Sequence, residues 1–186
     1  MFNFYDITPL DAADKIGKSI ANKEKCVYFQ DENFDKMYAY VPNSWNKQEL
    51  FDKYGIIGYK MFYDSVEGGG VTIVSPGDLS YLIILPFEEN QFINNFVNTM
   101  IEFLSTKFDS VVMDNNDILI NGYKSITTAG NVINGMALFM STISFVDNSE
   151  FINELCPPRH GKIPKPINNL VINKEEFKIK IMQWLQ

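Results

Sequence analysis

Histidine is nearly missing from this 186-residue chain: His160 is the only one, in a proline-rich stretch that suits an exposed polar residue. A metal centre built on imidazoles is not expected. Cysteine is almost as scarce. Cys26 and Cys156 stand far apart with no paired-cysteine spacing, which argues against a disulfide framework or a structural zinc site. Basic residues are outnumbered, 16 Lys and Arg against 23 Asp and Glu for a net charge of −7. A protein that grips a phosphate backbone concentrates the opposite sign, so no nucleic-acid partner is expected. Long apolar runs are missing as well. None approaches the roughly 18 residues of a membrane span. Asp6 and Asp11 interrupt what would be the apolar part of a signal peptide. Together these absences predict a soluble cytosolic protein that spans no membrane, acidic enough to suit a partner with a basic patch.

What is present is a globular composition, 46% hydrophobic and 14% aromatic, with no internal repeat, linker or low-complexity tract. The length suits one domain over residues 1–186. Thr8 followed by Pro9 and Asp11 forms a helix-start signal, and Leu10, Ala13, Ile16 and Ile20 continue at helical spacing to about Asn22. Cys26–Phe29 and Met37–Val41 have strand composition. A short helix is expected from Asn46 to a Gly55 stop, then a strand over Ile56–Tyr63. Leu79–Leu85 is an apolar strand. Phe92, Phe96, Val97, Met100, Ile101 and Leu104 mark the clearest helix, and Val111–Met113 a small strand. Asp117–Ile120 and Tyr123–Thr127 flank Asn121-Gly122, the residue pair favoured in a type I′ hairpin turn. Further strand lies within Val132–Phe145. A short helix capped near Asn148 or Ser149 ends at Leu155, and Asn173 caps a last helix. The order predicts an α+β protein with a mixed, largely antiparallel sheet flanked by helices.

The chain is organised around Glu67-Gly68-Gly69-Gly70-Val71, which opens a strand pair turned by Pro76-Gly77-Asp78-Leu79. Three glycines let another group approach the main chain, as a ligand wall requires, and they also suit a slack loop or bulge. The residues downstream favour the wall.

Three blocks carry a resemblance to the lipoate-protein ligase, octanoyltransferase and biotin-protein ligase superfamily over about Tyr54 to Leu170. Gly68-Gly69-Gly70-Val71 through Gly77-Asp78-Leu79 resembles its glycine stretch and Gly-(Asn/Gln/Asp)-Leu turn. Asn116-Asp117-Ile118-Leu119-Ile120-Asn121-Gly122-Tyr123-Lys124 resembles its Asn-Asp hairpin with a lysine. Asn134-Gly135-Met136-Ala137-Leu138 through Leu155-Cys156 resembles the His-Gly run and acyl-carrying cysteine of the transferases. The resemblance implies a class II synthetase-like biotin/lipoate ligase fold. It also implies activation of a lipoyl or medium-chain acyl carboxylate with ATP and Mg²⁺, followed by transfer to an acceptor-protein lysine. Partners would be a lipoyl- or biotinyl-acceptor domain or an acyl carrier protein.

In such chemistry a fixed ammonium at Lys124 neutralises the crowded carboxylate and phosphate. Backbone N–H groups of Gly68, Gly69, Gly70 and Val71 border the acyl chain, and Gly77, Asp78, Asn116, Asp117 and Ala129 complete the implied acyl and nucleotide site. Asp117 supplies oxygen to Mg²⁺. Two alternatives stand beside this: an ATP-free transferase whose Cys156 thiolate takes the acyl group, and a catalytically inactive member kept as a binding module. Departures from the family pattern motivate the last. Val66-Glu67 stands where ligases carry arginine, Val74 and Asn134 where transferases carry histidine, and Ser125-Ile126-Thr127-Thr128 adds bulk after the lysine. The plain readings are a solvated Lys124, a turn-forming Asp117 and buried, inert cysteines. An accessory C-terminal domain found in many lipoate ligases is not expected here.

Overall fold

The computed structural model describes residues 1–30, 35–41, 48–60, 72–114, 117–146 and 170–186. Ten strands and four α-helices run through these residues: β1 Asn3–Ile7, α1 Ala12–Ala21, β2 Cys26–Gln30, β3 Tyr38–Val41, α2 Gln48–Tyr54, β4 Ile57–Lys60, β5 Thr72–Val74, β6 Leu79–Pro86, α3 Gln91–Ser105, β7 Val111–Asp114, β8 Asp117–Ile120, β9 Tyr123–Ile133, β10 Met136–Ile143 and α4 Lys174–Trp184. The seven-stranded sheet has the order β1-β2-β6-β10-β9-β8-β7, and β4-β3-β5 form a second, three-stranded sheet. In the large sheet only β1 and β2 run parallel; the remaining neighbours are antiparallel. The α+β expectation holds.

Pleat alternation divides the large sheet into two unlike faces. Val27, Phe29, Leu79, Tyr81, Ile83, Leu85, Ile118, Ile126, Phe139 and Ile143 point to one side and form the main core with α3 and α4. Met100 and Leu104 of α3 and Phe177 and Ile181 of α4 are fully buried there. Phe96, Phe103, Phe177 and Trp184 lock these helices together through edge and stacked ring contacts. On the other face, α1 covers one end of the sheet, packing Ala12, Ile16 and Ile20 on Cys26, Tyr28, Leu82, Ile84 and Leu138. The remainder of that face carries the candidate site.

The small sheet reaches the large one through Gln30. The Tyr40 hydroxyl donates to Gln30 Oε1 at 3.0 Å, while Gln30 Nε2 donates to the Ile7 carbonyl. Helix α1 starts later than its signal suggests. Thr8 N–H donates to Asp11 Oδ1 at 2.8 Å and Asp11 N–H returns to Thr8 Oγ1, a reciprocal box, but regular helix begins at Ala12. The box spends its first turn on itself. Asn173 caps α4 by accepting from Glu176 N–H at 2.8 Å, as its sequence position predicts. The expected strand over Ile56–Tyr63 is present as Ile57–Lys60, and the expected helix near Asn148 lies outside the described residues. Among the described residues no helix is long and apolar enough to cross a membrane.

Candidate functional site

Lys124 and Asp117 are brought together on the face opposite α3 and α4 by two local features of β8 and β9. The first is the turn. Asn121 (φ 52°) and Gly122 (φ 84°) both take left-handed backbone conformations, the pairing that a type I′ hairpin requires. Asn121 Oδ1 accepts from Ser110 N–H at 3.0 Å and Asn121 N–H donates to the Ser110 carbonyl, so the turn is fastened to the residue before β7.

The second feature is a bulge. Leu119 pairs with Lys124, yet Ile118 pairs with Ile126, leaving Ser125 as the extra residue. Lys124 and Ile126 are two apart and would share a face in a regular strand. The bulge separates them: Ile126 enters the core, fully buried, while Lys124 joins Asp117 on the opposite side. There Lys124 Nζ lies 3.0 Å from Asp117 Oδ1, with the side chains 25% and 20% exposed. The ammonium is oriented without being sealed off. It has three N–H donors, and one ion pair leaves it able to meet another anion.

Asp117 belongs to a line of polar residues that crosses the sheet in register. Ser80 pairs with Thr142, Thr142 with Thr127, Thr127 with Asp117, and Asp117 with Asp114. Leu79, Tyr81, Ile118, Ile126 and Ile143, next to them in sequence, face the core, so Ser80, Asp117, Thr127 and Thr142 point to the site face, and Asp114 shares it as the direct partner of Asp117. Ser80 and Thr142 are buried and share a 3.1 Å hydroxyl hydrogen bond, and Ser80 Oγ also donates to the Ser141 carbonyl. Thr127, Asp117 and Asp114 are half-buried. One step along the strands, the next row is Leu82, Met140 and Ala129. A polar, charged line thus borders an apolar one, the pattern that an acid head and a hydrocarbon tail complement.

The turn before β6 is built differently. Gly77 has φ 94°, and a Cβ there would sit 2.8 Å from Val146 Cγ2, so both backbone conformation and space demand glycine. Asp78 is buried and its carboxylate is fully engaged: Oδ2 accepts from Ser75 N–H at 3.0 Å, and Oδ1 from Phe145 and Val146 N–H at 3.0 and 3.3 Å. Burial raises this carboxyl to about 6 against the opposing pull of those three donors. Gly77 and Asp78 therefore staple the turn to the end of β10. Cys26 is buried under α1, and burial pushes its thiol up to about 11, so it is not a nucleophile at neutral pH. Val74, where a transferase would carry histidine, is buried in β5. Asn134 (φ 51°) and Gly135 (φ 78°) make a second hairpin turn of the same kind, between β9 and β10, and Asn134 serves there as a turn-former. Gly68, Gly69, Gly70, Val71, Asn116 and Cys156 lie outside the described residues, as does Glu67.

Of the residues singled out from sequence, the structure brings Lys124, Asp117 and, one row away, Ala129 to a single face. It adds Ser80, Thr127 and Thr142, which sequence reasoning passed over. Their signal was a lone polar residue at the alternate position of an apolar strand, as in Leu79-Ser80-Tyr81.

No sequence-family profile matches the chain, and no curated protein matches it by sequence. Solved structures do. The chain overlays lipoate-bound LipL1 of Plasmodium falciparum with a TM-score of 0.70 at 14% identity, over 99% of this chain and 61% of that one. It is also similar to a Thermoplasma acidophilum protein described as a putative lipoate protein ligase with bound lipoic acid (TM-score 0.70, 12% identity, 98% and 83% covered). A third match is lipoate-protein ligase A bound with ATP (TM-score 0.69, 12% identity, 99% and 84% covered). The protein has the lipoate/biotin ligase fold, and it spans about three-fifths of the length of the Plasmodium protein.

Proposed function

We propose that this protein is a lipoate-protein ligase-like enzyme that activates a lipoyl or medium-chain acyl carboxylate with ATP and passes the acyl group to a lysine of an acceptor domain. One observation carries the proposal: on a ligase fold, the bulged β8–β9 hairpin holds the Lys124 ammonium against Asp117 where a polar row meets an apolar row. Adenylate formation joins a carboxylate oxygen to the α-phosphorus and expels pyrophosphate, so two anions must be brought together before any bond forms. A preorganised ammonium lowers that barrier more than it aids ground-state binding, because charge density grows as the oxygens approach. Lys124 is assigned this role, and Asp117 the role of aiming it. The Met140–Ala129 row would receive the hydrocarbon tail.

Magnesium fits this donor set in a limited way. Among the described residues no group of three or more His, Cys, Asp or Glu converges on one point, so they form no protein cage for an ion. Mg²⁺ rarely uses one; it takes one or two carboxylates and completes its octahedron with water and phosphate oxygens. Asp117 is the carboxylate offered here, and the ion would supply charge neutralisation on the nucleotide phosphates.

The test is ATP–pyrophosphate exchange with lipoate, octanoate or biotin, in parallel with thermal shift. Acid-dependent exchange and a melting temperature raised by acid plus ATP are expected. Absence of both with every acid contradicts the proposal.

A further inference from the structure

We propose that Thr127 contacts the substrate: its hydroxyl donates a hydrogen bond to the acyl carboxylate beside Lys124 and narrows the entrance of the acyl slot. This rests on the ligase-like reading above, since it places the acid head at Lys124. Four observations carry it. Thr127 is the central member of the in-register row, opposite Asp117 on one side and Thr142 on the other. Directly opposed residues have Cβ atoms about 4.5–5.5 Å apart, so Thr127 lies within one side-chain length of the carboxylate that orients Lys124. Its neighbours are satisfied: Thr142 bonds Ser80, and Asp117 bonds Lys124. The Thr127 hydroxyl makes no hydrogen bond among the described residues. Finally, Thr127 is the point where the row passes from the buried Ser80–Thr142 pair to the partly exposed ion pair.

A β-branched residue suits a strand at this position, but valine would serve that purpose equally. The hydroxyl is what valine lacks. A carboxylate held by Lys124 offers four lone-pair directions, and an ammonium on a flexible stem fixes none of them. A hydroxyl on a rigid strand fixes one. Its methyl group at the same time limits the girth of any chain that continues towards Ala129 and Met140.

The test compares the wild type with Thr127→Val and Thr127→Ser, using octanoate and lipoate as probes by calorimetry and by acid-dependent ATP–pyrophosphate exchange. Loss of a hydrogen bond to a charged group predicts affinity for both acids roughly ten- to hundred-fold weaker in Thr127→Val. Thr127→Ser should lie within about threefold of wild type because it keeps the donor. The ligand-free melting temperature checks that each variant is folded, and Thr127→Ala, which also lacks the donor, takes the place of Thr127→Val if that variant is not. Unchanged affinity in folded Thr127→Val, or equal weakening in Thr127→Ser, overturns the inference and leaves the ligase-like reading intact. A wild type that binds neither acid and shows no exchange overturns that reading, and this inference with it.

Discussion

Two hairpins in one sheet are built on the same dipeptide and do different work. Asn121-Gly122 and Asn134-Gly135 adopt nearly the same left-handed pair of conformations, and each turn is fastened to a residue flanking another strand, the first to Ser110 before β7 and the second through the Gly135 carbonyl to Phe87 N–H after β6 at 2.9 Å. Beyond the second turn β9 and β10 pair without interruption from Ile133 and Met136 to Ile126 and Ile143. Every side chain then keeps its face, and β10 contributes Ala137, Phe139 and Ile143 to the core. Beyond the first turn the ladder slips by one residue at Ser125, and the slip releases a lysine from the core side of β9. Identical turn chemistry gives a hairpin that keeps every side chain on its face, or one that brings a lysine across to join Asp117, according to whether the ladder is interrupted. On this account the two should respond oppositely to substitution.

The largest effect belongs to the uninterrupted hairpin. Phe139 packs edge-on against Phe96 of α3, and Phe139→Ala should cost about 4 kcal/mol in urea unfolding. Acid-dependent exchange per folded molecule should be unchanged. A loss of exchange in protein that remains folded would erase the distinction between the hairpins.

Next is the far end of β10, which Asp78 holds through Phe145 and Val146 N–H. Its carboxyl is raised from 3.8 to about 6 by burial. Between about pH 4 and pH 6 the native protein holds a proton that the unfolded chain has released, so stability is greatest below that window and falls as pH rises through it. The fall attributable to this group is about 3 kcal/mol. Urea midpoints of wild type should drop across that range, and Asp78→Asn should flatten the drop at a lower absolute stability. A wild-type midpoint that rises over the same range would contradict the assignment.

A smaller stability effect makes a sharper comparison. A Cβ at Gly122 or Gly135 meets nothing within 4 Å, so each Gly→Ala change adds only the strain of a left-handed alanine, about 1–2 kcal/mol. The two variants should melt alike, yet only Gly122→Ala should lower exchange, because only that turn sets the register of Lys124. Equal activities would mean that the ion pair does not depend on its hairpin.

Much of this was legible in the sequence, for reasons that differ by element. The α3 helix has a strong 3.6-residue period over Phe92 to Leu104, and the Asn121-Gly122 turn has few alternative conformations, so both were readable locally. The order of strands and helices fixed α+β. Asn134-Gly135 carries the same local signal, which competes in the sequence with its resemblance to the His-Gly run of the transferases; the backbone follows the turn signal. The Ser125 bulge has no sequence signature of its own; it exists because Ile126 and Lys124 cannot both be served by a regular strand. The polar row was invisible for a related reason. Ser80, Thr142, Thr127 and Asp117 lie on four strands, and only the pairing register aligns them. The role of Asp78 as a staple likewise depends on Phe145 and Val146, 67 and 68 residues downstream.

The most direct test of the account is acid-dependent ATP–pyrophosphate exchange by Lys124→Ala beside wild type. The Lys124–Asp117 pair is partly solvated, so removing it should change unfolding free energy by no more than about 1 kcal/mol. Loss of a preorganised charge at the reacting oxygens should lower exchange by about 10²–10³-fold. A folded Lys124→Ala protein that exchanges pyrophosphate at the wild-type rate would contradict the central claim that the bulged hairpin exists to present this ammonium.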